Sequence, residues 1–224
     1  MKTFITFIAL VFLVGCGDIP FDSVGSSTEC IVGGTEVGLG PDYSTVDLVV
    51  CTGIYIAPGV VLTAAHCGDR RVARVGEVEA NTVLRVEHPA YQANNLVNDL
   101  ALLFLDNELP SDIATLGFAT YGAATIQGFG LDETCSHGTL REATTFIESI
   151  YTHKLLTAPG PDSCYGDSGG PLYQGGAVVG IVSSAAPGAG GGMDSCGKGG
   201  LYTLVSAYAD WLNSEVTNLQ WELL

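Results

Sequence analysis

From Ile31 onward the chain is a succession of short apolar runs, rich in β-branched residues and each broken off by Gly, Pro, Asn or Asp. Val46–Val50, Gly53–Ile56, Val60–Leu62, Val83–Val86, Leu100–Leu105, Thr144–Ile150, Ala177–Val182 and Leu201–Val205 are examples. Runs of this length, bounded by turn residues, read as strands, and many of them in close succession build a sandwich or barrel. The 30 glycines serve the turns, because glycine alone takes positive φ without steric cost. One segment departs from this pattern. Val205, Tyr208, Trp211, Leu212, Val216 and Leu219 recur at helical spacing and predict a C-terminal helix over about 205–219. Gly188–Gly192 reads as a loop and not as a phosphate cradle, since no P-loop Lys-Ser/Thr follows it.

The 224 residues suffice for one sizeable domain or two small ones sharing an interface. A formal net charge of −16 argues against nucleic-acid binding, which requires a basic surface. It reads either as a solubility effect or as steering of cationic substrates toward an acidic surface. Residues 1–15 read as an export signal, with Lys2 ahead of an apolar run from Thr3 to Gly15 that is too short for a permanent span. Leu13-Val14-Gly15-Cys16 resembles the bacterial lipoprotein signal, whose Cys is lipidated, here Cys16. Residues 16–30 then form a Ser/Gly-containing tether or propeptide, long enough as a coil to span roughly 20 Å. Of the seven cysteines, a lipidated Cys16 leaves Cys30, Cys51, Cys67, Cys135, Cys164 and Cys196. In an oxidising compartment three disulfides are allowed, with 15 possible connectivities. The absence of C-x₂-C pairs makes zinc a poor alternative.

Three segments carry chemistry. Gly166-Asp167-Ser168-Gly169-Gly170-Pro171 surrounds a serine with glycines, Thr63-Ala64-Ala65-His66-Cys67 holds a histidine, and Asn98-Asp99-Leu100-Ala101-Leu102-Leu103 holds a carboxylate before an apolar run. A serine hydroxyl is a weak nucleophile until an adjacent base takes its proton. Imidazole is that base near neutral pH, and a buried carboxylate fixes its tautomer. These segments, in the order His, Asp, Ser, resemble the motifs of the chymotrypsin/trypsin-type (S1) serine proteases from Ile31 to about Val216. A serine esterase of the G-x-S-x-G type would need its histidine after the serine.

The resemblance implies two packed six-stranded antiparallel Greek-key barrels with a C-terminal helix, barrel one over about 31–115 and barrel two over about 116–205 of a protease domain at 31–224. It implies catalysis by His66, Asp99 and Ser168, with the amides of Gly166 and Ser168 as an oxyanion hole. It pairs Cys51 with Cys67 and Cys164 with Cys196. Cys30 and Cys135 match no family pair, which leaves a Cys30–Cys135 bridge as the remaining pairing. Cys135 follows Gly128-Phe129-Gly130, which resembles the GWG opening the family's autolysis loop. Asp162, six residues before the nucleophile, corresponds to the base of the S1 pocket and implies cutting after Arg or Lys. Ser163, Ser183, Ala185 and Gly200 belong to the same pocket. Ser184 stands where trypsins carry Trp, weakening the apolar shelf upstream of the cut, and Ala185 where they carry Gly, narrowing the slot.

Ile31-Val32-Gly33-Gly34 resembles the mature N-terminus of the family, whose freed ammonium pairs with the Asp before the nucleophile, here Asp167. Cys30 precedes the junction in place of Arg or Lys, so a protease of different specificity must activate the chain. No cofactor and no metal are expected, the interval from Cys67 to Asn98 holding no evident calcium loop. The expected location is a membrane-anchored lipoprotein of the periplasm or cell surface, with release after activation as the other outcome. A catalytically silent, surface-anchored binding module on the same scaffold is the alternative from another class.

Overall fold

The computed structural model describes residues 31, 34–38, 43–131, 137–191 and 195–221. The signal, the tether, Cys16, Cys30 and Cys135 lie outside them. Barrel one closes in the order β2 (Thr45–Asp47), β3 (Thr52–Ala57), β4 (Val60–Thr63), β7 (Ala101–Leu105), β6 (Val78–Glu87) and β5 (Val72–Val75). Barrel two consists of β8 (Gly122–Gly128), β9 (Arg141–Ile150), β10 (Lys154–Thr157), β13 (Gly200–Leu204), β12 (Ala177–Ala185) and β11 (Pro171–Gln174), closed by pairing of β8 with both β9 and β11. All strand pairs are antiparallel. This is the architecture that the sequence resemblance implies.

The first core gathers Ile54, Ile56, Val61, Leu62, Leu100 and Leu102, all without solvent exposure. The second gathers Ile126, Leu155, Leu172, Val179 and Tyr202. Burying a side chain of this size contributes about 1.5–3 kcal/mol, so these two cores dominate stability.

Three expectations are corrected. The segment from Ile31, assigned to barrel one, feeds β1 (Thr35–Glu36), which pairs with Glu142 and Arg141 of β9 and so extends barrel two. The run Val46–Val50 is a strand only to Asp47. The Asp47 carboxylate accepts the Val49 N–H at 2.6 Å, an Asx turn that takes Val49 to φ 75° and leaves Val49 and Val50 exposed. The C-terminal helix is shorter than its apolar period. A 3₁₀ turn (Val205–Tyr208) runs into α1 (Ala209–Glu215), and Val216 leaves helical geometry at φ −128°. Val216 is nevertheless buried. With Val205, Tyr208 and Leu212 it packs into the first core, so the apolar period records burial beyond the end of the helix.

The barrels meet at Thr52 and the turn that carries Ser168. The Thr52 N–H donates to Ser168 O at 2.9 Å, and its hydroxyl donates to Gly166 O at 2.9 Å and accepts the Phe129 N–H at 3.1 Å. Thr63 Oγ1 in turn donates to Thr52 O at 2.9 Å. Gly169 lies against this joint at φ +83°. A Cβ there would overlap Thr63 Oγ1 and come within 2.5 Å of Thr52 O and 2.8 Å of Ala64 N. Gly169→Ala is therefore expected to lower stability by about 3 kcal/mol in urea unfolding, through steric conflict and a φ that alanine rarely adopts.

Candidate active site

The end of β4 delivers Thr63 and an extended Ala64 to a 3₁₀ turn (Ala65–Cys67), which presents His66. The Cys51–Cys67 disulfide ties this turn back to the start of β3. Asp99 lies on the approach to β7, after Asn98, which adopts φ 53°. Asn98 is held there by donating to Ala90 O at 2.7 Å and accepting from the Tyr208 hydroxyl at 3.0 Å.

The Asp99 side chain has no solvent exposure and accepts three hydrogen bonds. His66 N–H reaches Oδ1 at 2.9 Å, His66 Nδ1 reaches Oδ2 at 2.7 Å, and the Ser183 hydroxyl reaches Oδ2 at 2.7 Å. The Thr203 hydroxyl donates to Asp99 O at 3.0 Å. Burial pushes the carboxyl pKa up, but the bonds from His66 and Ser183 and the His66 charge outweigh it and hold the pKa below the usual carboxylate range. With Asp99 accepting at Nδ1, the Nε2 lone pair is the available base.

The Ser168 turn is built by backbone constraints. Gly166 and Gly169 both take positive φ. The Tyr165 carbonyl is held by the Leu131 N–H at 2.7 Å, so the Gly166 N–H of the same trans peptide points the opposite way. Asp167 is fully buried, accepting Gly130 N–H at Oδ1 and Cys164 N–H at Oδ2, each at 2.8 Å. Among the described residues no cation lies within ion-pair distance of it. Burial pushes its pKa up to about 7. The bonds from Cys164 and Gly130 oppose that rise, and the charge of Asp162 adds to it. Ile31 is also buried, its carbonyl accepting the Gly34 N–H at 2.7 Å.

A cavity of about 370 Å³ opens beside Ser168. Ser163, Ser183 and Ala185 line it, and the Cys164–Cys196 disulfide lies on one side. Asp162 and Gly200 are not among the lining residues. Asp162 is 1% exposed, with Oδ1 at 3.4 Å from both Ser163 Oγ and the Tyr202 hydroxyl. A Cβ on Gly200 would come within 2.9 Å of that oxygen, so the missing side chain makes room for the carboxylate. Burial raises the Asp162 pKa to about 6 against the hydrogen bonds that lower it.

Sequence reasoning passed over Thr52, Thr203, Lys154 and the cavity-lining Gly190, Gly191 and Ser195. Only the glycines left a local trace, in the Gly188–Gly192 run. Among the described residues no three His, Cys, Asp or Glu side chains gather as a metal site.

The family model described as Trypsin matches residues 31–212. The chain is 30% identical over 231 residues to Trypsin of Squalus acanthias, covering 84% of this chain and 97% of that one. It is 31% identical over 229 residues to Trypsin of Saccharopolyspora erythraea, covering 83% and 98%. It is 28% identical over 242 residues to Kallikrein-12 of Homo sapiens, covering 86% and 93%.

The buried Asp167 makes stability depend on pH. Its folded pKa lies above the unfolded value of 3.8, so the unfolded chain ionises first and stability falls as pH rises from about 4 to 7. In urea titrations of the uncut chain, Asp167→Asn should be more stable than the parent. The advantage should grow from pH 5 to pH 7 and then level off. A constant difference across that range would contradict the assignment.

Proposed function

Because the chain belongs to the trypsin family of serine peptidases, we propose that it is an exported endopeptidase that cuts peptide bonds after Arg or Lys, with His66, Asp99 and Ser168 as its triad. The observation that carries this reading is the 2.7 Å His66–Asp99 bond, in a chain whose Ser168 turn is bonded to the same barrel through Thr52 and borders a cavity.

Ser168 Oγ attacks the carbonyl carbon of the scissile bond while His66 Nε2 takes its proton. The Gly166 and Ser168 amides stabilise the oxyanion, a donor of this kind being worth about 10²–10³ in kcat. His66 then protonates the departing amine, and water, deprotonated by the same nitrogen, releases the acyl group. The ground for Arg or Lys is Asp162, a carboxylate whose burial is relieved by a cation.

The same logic supports synthesis as a precursor. Cleavage before Ile31 frees an ammonium that pairs with Asp167, and another protease makes that cut because Cys30 precedes it. The Leu13-Val14-Gly15-Cys16 sequence supports lipidation at Cys16. A Cys30–Cys135 bridge would keep residues 16–30, and with them the lipid, on the cut enzyme. The two disulfides among the described residues agree with an oxidising compartment.

A fluorophosphonate probe should label the cut chain at Ser168 and leave Ser168→Ala unlabelled. Asp162→Ser should reduce kcat/KM on Arg and Lys peptides by about 10²–10³, the cost of removing one partner of a buried pair. Absence of labelling, or a parent preference for Phe or Leu, would overturn the reading. In fractionation, cut enzyme should stay with membranes until a reductant is added. Activity in the soluble fraction without reductant would exclude the disulfide tether.

A further inference from the structure

Three neighbouring strands of barrel two each send one polar group toward Asp99. On β13, Thr203 bonds the Asp99 carbonyl. On β12 the register shifts between Val182 and Ser184, and this bulge aims Ser183 at the Asp99 carboxylate. On β10, Lys154 pairs in register with Thr203, which puts its side chain on the same face of the sheet. Its Nζ donates to Ser183 Oγ at 3.2 Å. Two consecutive hydrogen bonds thus connect the ammonium to Asp99 Oδ2, and a third connects Oδ2 to His66.

We infer that Lys154 is a positioning residue for the His66–Asp99 pair, its ammonium bracing the Ser183 hydroxyl against the Asp99 carboxylate. The inference rests on the peptidase reading above. An ammonium can only donate, so Ser183 Oγ must accept from it, and the single Ser183 proton is then committed to Asp99. A hydroxyl that accepts from a cation is also a stronger donor. The cation lies within about 6 Å of Oδ2, close enough to favour the carboxylate and to oppose a second positive charge on the imidazole.

The lysine is half-buried in a chain with only eight basic residues, and among the described residues it forms no ion pair. Burial holds its pKa below the usual lysine range, and the Asp99 charge partly offsets that shift.

The other groups around the pair differ in kind. Tyr91 and Tyr208 feel the Asp99 charge, but burial first and that charge second raise both phenols, which keeps them neutral. Arg85 donates to Ala65 O and pairs with Glu87. His88 and His153 pack against the Tyr208 ring. Lys154 alone among these groups joins the hydrogen-bond network of the carboxylate.

The test compares Lys154→Met, which keeps the stem and removes the charge, with Lys154→Arg, which keeps the charge. In the cut enzyme Lys154→Met should lower kcat about fivefold to twentyfold with KM unchanged, and Lys154→Arg should recover most of that loss. The acid limb of the kcat/KM profile should move up by about half a pH unit to one unit in Lys154→Met, because an imidazolium without a neighbouring cation forms at higher pH. A second arm needs no turnover. In chains also carrying Ser168→Ala, the low-field proton resonance of the His66 Nδ1–H···Asp99 bond should shift upfield and broaden with Lys154→Met. Superimposable pH profiles and an unmoved resonance would overturn the role of Lys154. A parent that cleaves no peptide would overturn the peptidase reading, and the resonance would still decide the positioning role.

Discussion

A carboxylate with no solvent exposure is the constraint around which the two barrels are organised. Ionised Asp99 without donors would cost several kcal/mol, so its donors must be in place whenever the chain is folded. They come from both halves of the molecule, His66 from barrel one and Ser183 from barrel two, while Thr203 of barrel two holds the Asp99 main-chain carbonyl. A rigid-body slip between the barrels would strand the charge. The orientation of the barrels is therefore fixed by the same bonds that fix the imidazole, and Thr52 repeats the arrangement a short distance away by binding Ser168 and Gly166 across the joint.

The Ser168 turn shows why its segment is so rich in glycine. Gly169 leaves space for Thr63 and Thr52 of the other barrel, and Gly128 and Gly130 leave space for the Asp167 carboxylate. Side chains at these positions would push the Ser168 turn away from Thr52 and Thr63 or expel the carboxylate from its donors. Gly166 adds a backbone conformation, at φ +96°, that residues with a side chain rarely adopt. The glycines are thus spent on close approach as much as on turning the chain.

What could be read from the sequence was whatever chemistry is encoded contiguously. The histidine, aspartate and serine segments, the cysteines of the two disulfides and the alternation of short strands all sit within a few residues of their own signals. Contributions that depend on pairing across the sheet left no such trace. Lys154 reads as an ordinary strand residue until β10 is laid beside β13 and β12, and Thr52 as a β-branched strand opener until Ser168 is brought against it. The crossing of β1 to barrel two depends on its register with β9, more than a hundred residues away. The helix overran in the prediction because burial of Val216 and Leu219 mimics a helical period after the backbone has already turned. Asp162 stands out in the sequence by its spacing from Ser168, but the room for its buried carboxylate depends on the side chain that Gly200 lacks.

Asp162 and Asp167 are five residues apart, both buried, both with pKa values raised by burial, and the charge of Asp162 is one of the causes at Asp167. Ionising either makes ionising the other harder. A cation supplied to one therefore lowers the cost of the negative charge on the other. On the proposed function those cations have different origins, a substrate side chain for Asp162 and the chain's own new N-terminus for Asp167. The Cys164 N–H that binds Asp167 lies between them in sequence, in the segment that also lines the cavity. On that reading, a cut that gives Asp167 a partner makes the Asp162 charge less costly, so that Asp162 is ionised when a substrate cation meets it.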